Sequence, residues 1–265
     1  MIEGKTPNEL ENPTRVANRF SIAPGQLLLQ VDRVARFWVT NGNKITIQRS
    51  PDASHDDIRV YLYGTALGAA ILQRGQVPLH ATTVIKDDKA IAFTGASGAG
   101  KSTLAHTLIN RGWKLVCDDV TVLTTTNDIL HAQPGFPSIK LWRDVLEASH
   151  PDVSKLKEIR VQVDKFHWDS KSSFYAQPAR LHAIIGLLPY NEESLKIESL
   201  RGFRKFKFLT RNTYRQQMIE GMADTSKIFK MWSETLEQIK FWKIHRPKSP
   251  LRPELLADAI EKLIQ

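Results

Sequence analysis

The sequence predicts an α/β fold built around a phosphate-binding loop, with a small antiparallel β-meander ahead of it. Three observations predict it. A Gly-rich loop, Gly95-Ala96-Ser97-Gly98-Ala99-Gly100-Lys101-Ser102, lies between an apolar strand and a helix. Two adjacent carboxylates, Asp118 and Asp119, close the apolar segment that follows that helix. Residues 19–50 break into short apolar runs parted by turn residues. Residues 1–54 are expected to form an N-terminal lead and meander packed on a core. Residues 55–265 are expected to form the domain that carries the loop.

Composition sets the outer bounds. The chain has 265 residues, of which 42% are hydrophobic and 25% charged, values of a folded globular protein. One cysteine, Cys117, excludes an intrachain disulfide and a Cys-rich zinc site. The start, MIEGKTPNELENPTR, lacks an apolar signal core. No apolar run approaches the roughly 20 residues a membrane span needs, so a cytoplasmic protein without a membrane partner is expected. The net charge of +9 is compatible with nucleic acid, acidic peptides or nucleotides as partners, and equally with a solvated basic surface.

The elements follow in order. Residues 1–18 read as a polar, poorly ordered lead. Gln26 to Val31, Val34 to Thr40 and Lys44 to Arg49 read as strands, with a hairpin turn at Asn41-Gly42-Asn43, where Asn and Gly tolerate positive φ. Residues 55–74 read as one helix, because Ile58, Leu62, Ala66, Ala69 and Leu72 fall on one face. Its Gly64, Ala66, Gly68, Ala69 and Ala70 would let another element approach closely. Val77 to Ile85 and Ala90 to Thr94 form a strand hairpin through Lys86-Asp87-Asp88-Lys89. The last helix, Glu254 to Leu263, places Leu255, Leu256, Ala259, Ile260 and Leu263 on one side to dock on a sheet.

The loop matches G-x-x-x-x-G-K-[ST] in full, and its residue types suit a polyphosphate. Gly95, Gly98 and Gly100 let backbone N–H groups, with those of Ser97, Ala99 and Thr103, curl around an anion. The helix N-terminus adds its partial positive charge. Lys101 brings a full charge, and the Ser102 hydroxyl can ligate Mg²⁺. The aspartates, ending a strand expected to be the parallel neighbour of the first, would arrive beside the phosphate. One can orient a metal and the other take a proton from an attacking hydroxyl; a metal role alone, or a solvated turn, are the competing readings.

Pro78 to Leu123 resembles the catalytic domain of HPr kinase/phosphorylase and its shorter relatives. A Leu-His-Ala segment, the G-x-S-G-x-G-K-S loop and R-G-x-x-L-x-x-D-D recur together there. The likeness continues more weakly through Pro134 to Asp144, Leu181 to Pro189, Phe208 to Arg215 and the tail, spanning roughly residues 60–265. Within the family the sequence is most similar to the stand-alone kinases of peptide-modification clusters, including those acting on the C-terminal serine of lasso-peptide precursors. The resemblance implies a P-loop kinase core of the HPr kinase and phosphoenolpyruvate carboxykinase type. It implies ATP and Mg²⁺ as donor and metal, and serine in a peptide or small protein as acceptor. Lys101 and Ser102 take the phosphate and metal roles, His80 lies near the centre, Asp118 is the base and Asp119 is close to the metal. Ala96 and Thr103 stand where HPr kinases proper usually carry Asp and Glu.

Lys140 and Arg143, after Pro134-Gly135-Phe136-Pro137, are candidates to neutralise the transferring phosphoryl group. Arg201 to Phe208, continued by Arg211 and Arg215, reads as a half-buried strand with a basic face, suited to an acidic peptide or phosphate. His106, His131, His167 and His182 show no metal spacing. A kinase for a small hydroxylated metabolite and a regulatory P-loop NTPase are the alternatives. Nucleic acid is not expected as a partner, and a homo-oligomer is left open.

Overall fold

The computed structural model describes residues 1–143, 145–146, 158–160, 163–218, 225–248 and 251–264. Asp144, part of the resemblance above, lies outside them. The chain forms two units, Met1–Pro78 with Thr213–Glu234, and Leu79–Asn212 with Thr235–Gln265. The helical segment after residue 54 thus falls with the meander rather than with the loop-bearing unit.

In the first unit, six strands form one sheet in the order β1-β6-β5-β4-β3-β2. They are β1 (Ile2–Glu3), β2 (Arg15–Ala17), β3 (Phe20–Ala23), β4 (Gln26–Val31), β5 (Ala35–Thr40) and β6 (Lys44–Arg49). Along β5, Ala35, Phe37 and Val39 are buried and alternate with half-buried residues, the period-2 pattern of a one-sided sheet. Asn41 and Gly42 take φ of 50° and 68°, as the hairpin reading requires.

The polar lead is not loose. β1 adds in parallel to β6 and β2 in antiparallel to β3, so both sheet edges are covered by residues of the lead. Leu10 is buried with Ala23 and Leu28 against Trp38. The Arg36 guanidinium donates to the Pro7 carbonyl at 2.6 Å.

The single expected helix is interrupted. It runs as α1 (His55–Tyr61), a π-helical stretch Leu62–Ala66, and α2 (Leu67–Gln73). Ser54 caps α1 by accepting from the Asp57 N–H at 3.0 Å. The small residues admit Tyr214, whose ring lies 3.3 Å from where a Cβ on Gly68 would stand. β7 (Val77–Leu79) then ends at His80, so the expected long strand is broken there.

The second unit starts with β8 (Ala81–Lys86) and β9 (Lys89–Thr94), a hairpin turned by Asp87 and Asp88 at φ 47° and 57°. Then come α3 (Lys101–Asn110), β10 (Lys114–Cys117), β11 (Thr121–Thr126), β12 (Ile129–Ala132) and β13 (Ser138–Trp142). β14 (Glu158–Arg160) and β15 (Val163–Asp169) join β13 in a small sheet. β16 (Ala179–Tyr190) and β17 (Lys196–Ser199) precede α4 (Phe203–Asn212). α5 (Thr225–Thr235) belongs to the first unit but for its last residue, and the second resumes with β18 (Lys240–Pro247) and α6 (Pro253–Ile264).

The main sheet runs β10-β8-β9-β16-β12-β11, with β18 also on β16 and β17 on β18. β9, β16 and β18 are mutually parallel at its centre. The near-continuous buried runs of β9 and β16, such as Ala183 to Leu187, suit strands covered on both faces. α3 packs there through Leu104, Ala105 and Leu108, in one core with Phe93, Ile185 and Ile260. α6 buries Leu256, Ala257 and Ile260, while Leu255 turns outward at 47% exposure. Arg111, just after α3, forms ion pairs with Glu254, Asp258 and Glu261 of α6.

α4 corrects the reading of a basic strand. A strand would alternate, but the buried residues are Lys205, Phe208 and Leu209, spaced for one face of a helix. Trp232 and Phe241 are core residues as expected, whereas Phe229 is 57% exposed. No helix among the described residues is long and apolar enough to cross a membrane.

Candidate active site

Parallel strands bring their C-terminal ends to one edge, where a ligand site forms. β9 delivers the loop there. β10 is not its hydrogen-bonded neighbour, contrary to expectation: β8 lies between them, antiparallel to both. Two antiparallel steps restore the direction, so β10 still carries Asp118 and Asp119 to the loop's edge.

The loop closes tightly. Gly95 sits at φ 145°, and a Cβ there would stand 2.6 Å from the Leu187 carbonyl oxygen. Gly100, at φ 91°, is the N-cap of α3. Lys101 is 8% exposed and donates to the Gly95 carbonyl at 2.8 Å and the Ala96 carbonyl at 3.2 Å. Its Nζ also lies 3.2 Å from His80 Nε2. His80 Nδ1 is 2.9 Å from the Asp119 carbonyl, which can only accept, so Nδ1 carries the proton and Nε2 faces Lys101 with its lone pair. Burial and then the Lys101 charge hold His80 below its ordinary value, so it is neutral at pH 7.

The two aspartates have different surroundings. Asp118 Oδ1 accepts from the Ser102 hydroxyl at 3.0 Å and from Thr82 at 2.7 Å. Its Oδ2 accepts from the Lys140 backbone N–H at 2.9 Å. Asp119 sits at φ 71°, a left-handed conformation Asp tolerates better than most residues. Its carboxylate meets Lys140 Nζ at 3.0 Å and lies 3.6 Å from His80 Nδ1. Burial pushes the Asp119 carboxyl up, but Lys140, by charge and hydrogen bond, and the Lys101 charge hold it below the usual carboxylate range.

The segment before β13 places Lys140. Gly135 donates its N–H to the Val116 carbonyl at 2.8 Å and crosses β10 so closely that a Cβ would stand 2.8 Å from Cys117 Cβ. A side chain at 135 would lift β13, and Lys140 with it, away from both acids.

One cavity of about 390 Å³ gathers His80, Ser97 to Thr103, Asp118, Asp119 and Lys140. Gly95 joins through its bond to Lys101. Arg143 does not line it and stacks on Phe166, 4.6 Å from the ring centre. Arg211 does not line it either. Arg215 belongs to the first unit and lies over Tyr214. Sequence reasoning did not single out Thr82, Trp142, Val145, Arg246, Lys248 or Leu251, which complete the lining. Only pairing between strands distant in sequence brings them in.

Ser102 and Asp118 supply hard oxygen donors side by side, which fits Mg²⁺. Among the described residues no group of three or more His, Cys, Asp or Glu gathers into a cage. Two protein oxygens beside a phosphate loop suit an ion that keeps water and phosphate ligands.

No family model matches the chain. In sequence it is 30% identical over 120 residues to a protein of Oceanobacillus iheyensis described as "Putative HPr kinase/phosphorylase 2". Over that stretch the chain is similar to an HPr kinase/phosphorylase. The match covers 44% of this chain and 38% of that relative, so the chain spans well under half of the curated relative's length. Among solved structures, the HPr(Ser) kinase/phosphatase from Coxiella burnetii aligns at 18% identity with a TM-score of 0.39, covering 71% of this chain and 90% of that one.

Proposed function

We propose that the protein is an ATP-dependent kinase that phosphorylates a serine hydroxyl of a peptide or small protein. The carrying observation is the division of labour between the aspartates. Asp118 is bonded to Ser102, the hydroxyl that would hold Mg²⁺. Asp119 stands clear of Ser102, beside Lys140 and His80. This reverses the roles implied by the family resemblance: Asp118 belongs with the metal, and Asp119 is the base.

Loop N–H groups and Lys101 would hold the β- and γ-phosphates of the donor. Mg²⁺, held by Ser102 and Asp118, would neutralise phosphate charge. Asp119 accepts the proton of the serine hydroxyl as its oxygen bonds to the γ-phosphorus and the bond to the leaving diphosphate breaks. Lys140 keeps Asp119 ionised and offers a cation for the transferring oxygens. Neutral His80 accepts from Lys101 and fixes the Asp119 backbone through its carbonyl.

The acceptor is tested by mass spectrometry after incubation with Mg·ATP. The panel holds Ser-ended peptides, lasso-type precursor tails included, with HPr, free serine and sugars, and Lys101→Ala is the control. A phosphate-sized gain on peptide or protein, absent with the control, supports the proposal. A gain on free serine or a sugar alone selects a metabolite kinase. ATP hydrolysis with no acceptor selects a regulatory NTPase.

A further inference from the structure

Arg246 is 4% exposed, yet it stands at the rim of a site for a polyanion. Topology puts it there. Thr94 of β9 is level with Gly186 of β16, which is level with Lys243 of β18. Arg246, still paired with Pro189 of β16, therefore lies beyond the end of β9, alongside the loop that follows Thr94. Its Nε donates to the Ala99 carbonyl at 2.9 Å, its Nη2 to Gly98 at 3.2 Å and its Nη1 to Pro247 at 2.7 Å.

Two physical consequences follow. In a trans peptide the carbonyl and the next N–H point in opposite directions. Holding the Ala99 carbonyl on Arg246 thus turns the Gly100 N–H away from Arg246 and fixes it before any ligand arrives. The second consequence is charge. Buried cations are ordinarily paired with anions. The hydrogen-bond partners of Arg246 among the described residues are three neutral carbonyls. Among the described residues, Lys101, Lys140 and Lys248 line the same cavity against Asp118 and Asp119, so positive charge is in excess there.

We propose that Arg246 is a positioning residue of the donor-phosphate site. It braces the loop's outer carbonyls, and its buried charge is balanced by the bound polyphosphate. This rests on reading residues 95–102 as a phosphate loop.

The test is calorimetric titration of the full chain with pyrophosphate, followed by kinetics with ATP. Two variants separate charge from geometry: Arg246→Lys keeps the charge and loses the fork, and Arg246→Met loses both. The expected dissociation constant for pyrophosphate rises about tenfold in the Lys variant and about a hundredfold in the Met variant, in the range lost with charged hydrogen bonds. KM for ATP should rise in parallel while kcat stays within about threefold, a split that general disruption of the fold would not produce. If the Met variant does not fold, the Lys variant decides alone. Wild-type affinity in a folded Lys variant, or equal falls in kcat and kcat/KM, overturns the role of Arg246. Failure of the wild-type chain to bind pyrophosphate or ATP overturns the phosphate-loop reading itself.

Discussion

Lys101, Lys140 and Arg246 share one cavity, and each is held by named carbonyls, a carboxylate or a ring nitrogen. Arg201, Arg204 and Lys207, on and just before α4, stand exposed, with Arg204 meeting Glu198 at the surface. The second group is denser in sequence and looks the more prominent as a basic patch. The first is spread over 146 positions and has no pattern along the chain. A cation shapes chemistry when burial and fixed partners make its charge costly to leave unbalanced; in water the same charge is screened.

The strongest attempt to break this contrast is Lys101→Ala. Transfer should fall below detection while the melting temperature moves by only a few degrees, checked by the mass assay beside a thermal melt. Asp119→Asn is next: kcat should drop by about 10²–10⁴, the usual contribution of a general base, with nucleotide affinity little changed. Asp118→Asn should instead raise the Mg²⁺ concentration needed for half-maximal rate. An unchanged rate in Asp119→Asn, with loss in Asp118→Asn, would return the base to Asp118.

The pH profile sharpens the same comparison. The active form of Asp119 is the ionised one, and its folded pKa is depressed. Its acid limb in kcat/KM should therefore fall below ~3.9, the ordinary Asp value. Any stability it adds is present above that value and lost as pH falls through the folded pKa. Lys140→Met removes the nearest cation, so the limb should move upward.

Lys205 tests the rule inside α4 itself. It is the buried cation of that helix, donating to the Leu236 carbonyl at 2.8 Å and lying over Phe241. Lys205→Ala should cost about 1–3 kcal/mol in denaturant unfolding, because it strands buried carbonyls. The smallest effect belongs to Lys207→Ala, expected to leave rate and melting temperature within error. A large loss of peptide phosphorylation there would make the exposed face of α4 a substrate surface.

Much of this was readable before any coordinates. The loop, its flanking strand and helix, and the Asp-Asp pair are local patterns, and local chemistry suffices for them. The turns at Asn41-Gly42 and Asp87-Asp88 were legible for the same reason, since each needs positive φ. What failed was non-local. The lead became two edge strands because a neighbouring sheet offered unpaired backbone. β8 intruded between β9 and β10, which no period reveals. Phe206 and Phe208 suggested alternation over too few residues to tell a strand from a helix turn. Arg246 was invisible because its meaning depends on the parallel register of three strands.

Cys117 ends β10 one residue before the aspartates and is fully buried, with burial raising its thiol pKa to about 11. The chain's single thiol is therefore a silent background for thiol chemistry at neutral pH. A cysteine installed on the surface can carry a fluorophore or spin label without first removing the native one. Slow labelling of Cys117 itself would then time the transient opening of the strand end that presents both acids, a clock already built into the unmodified protein.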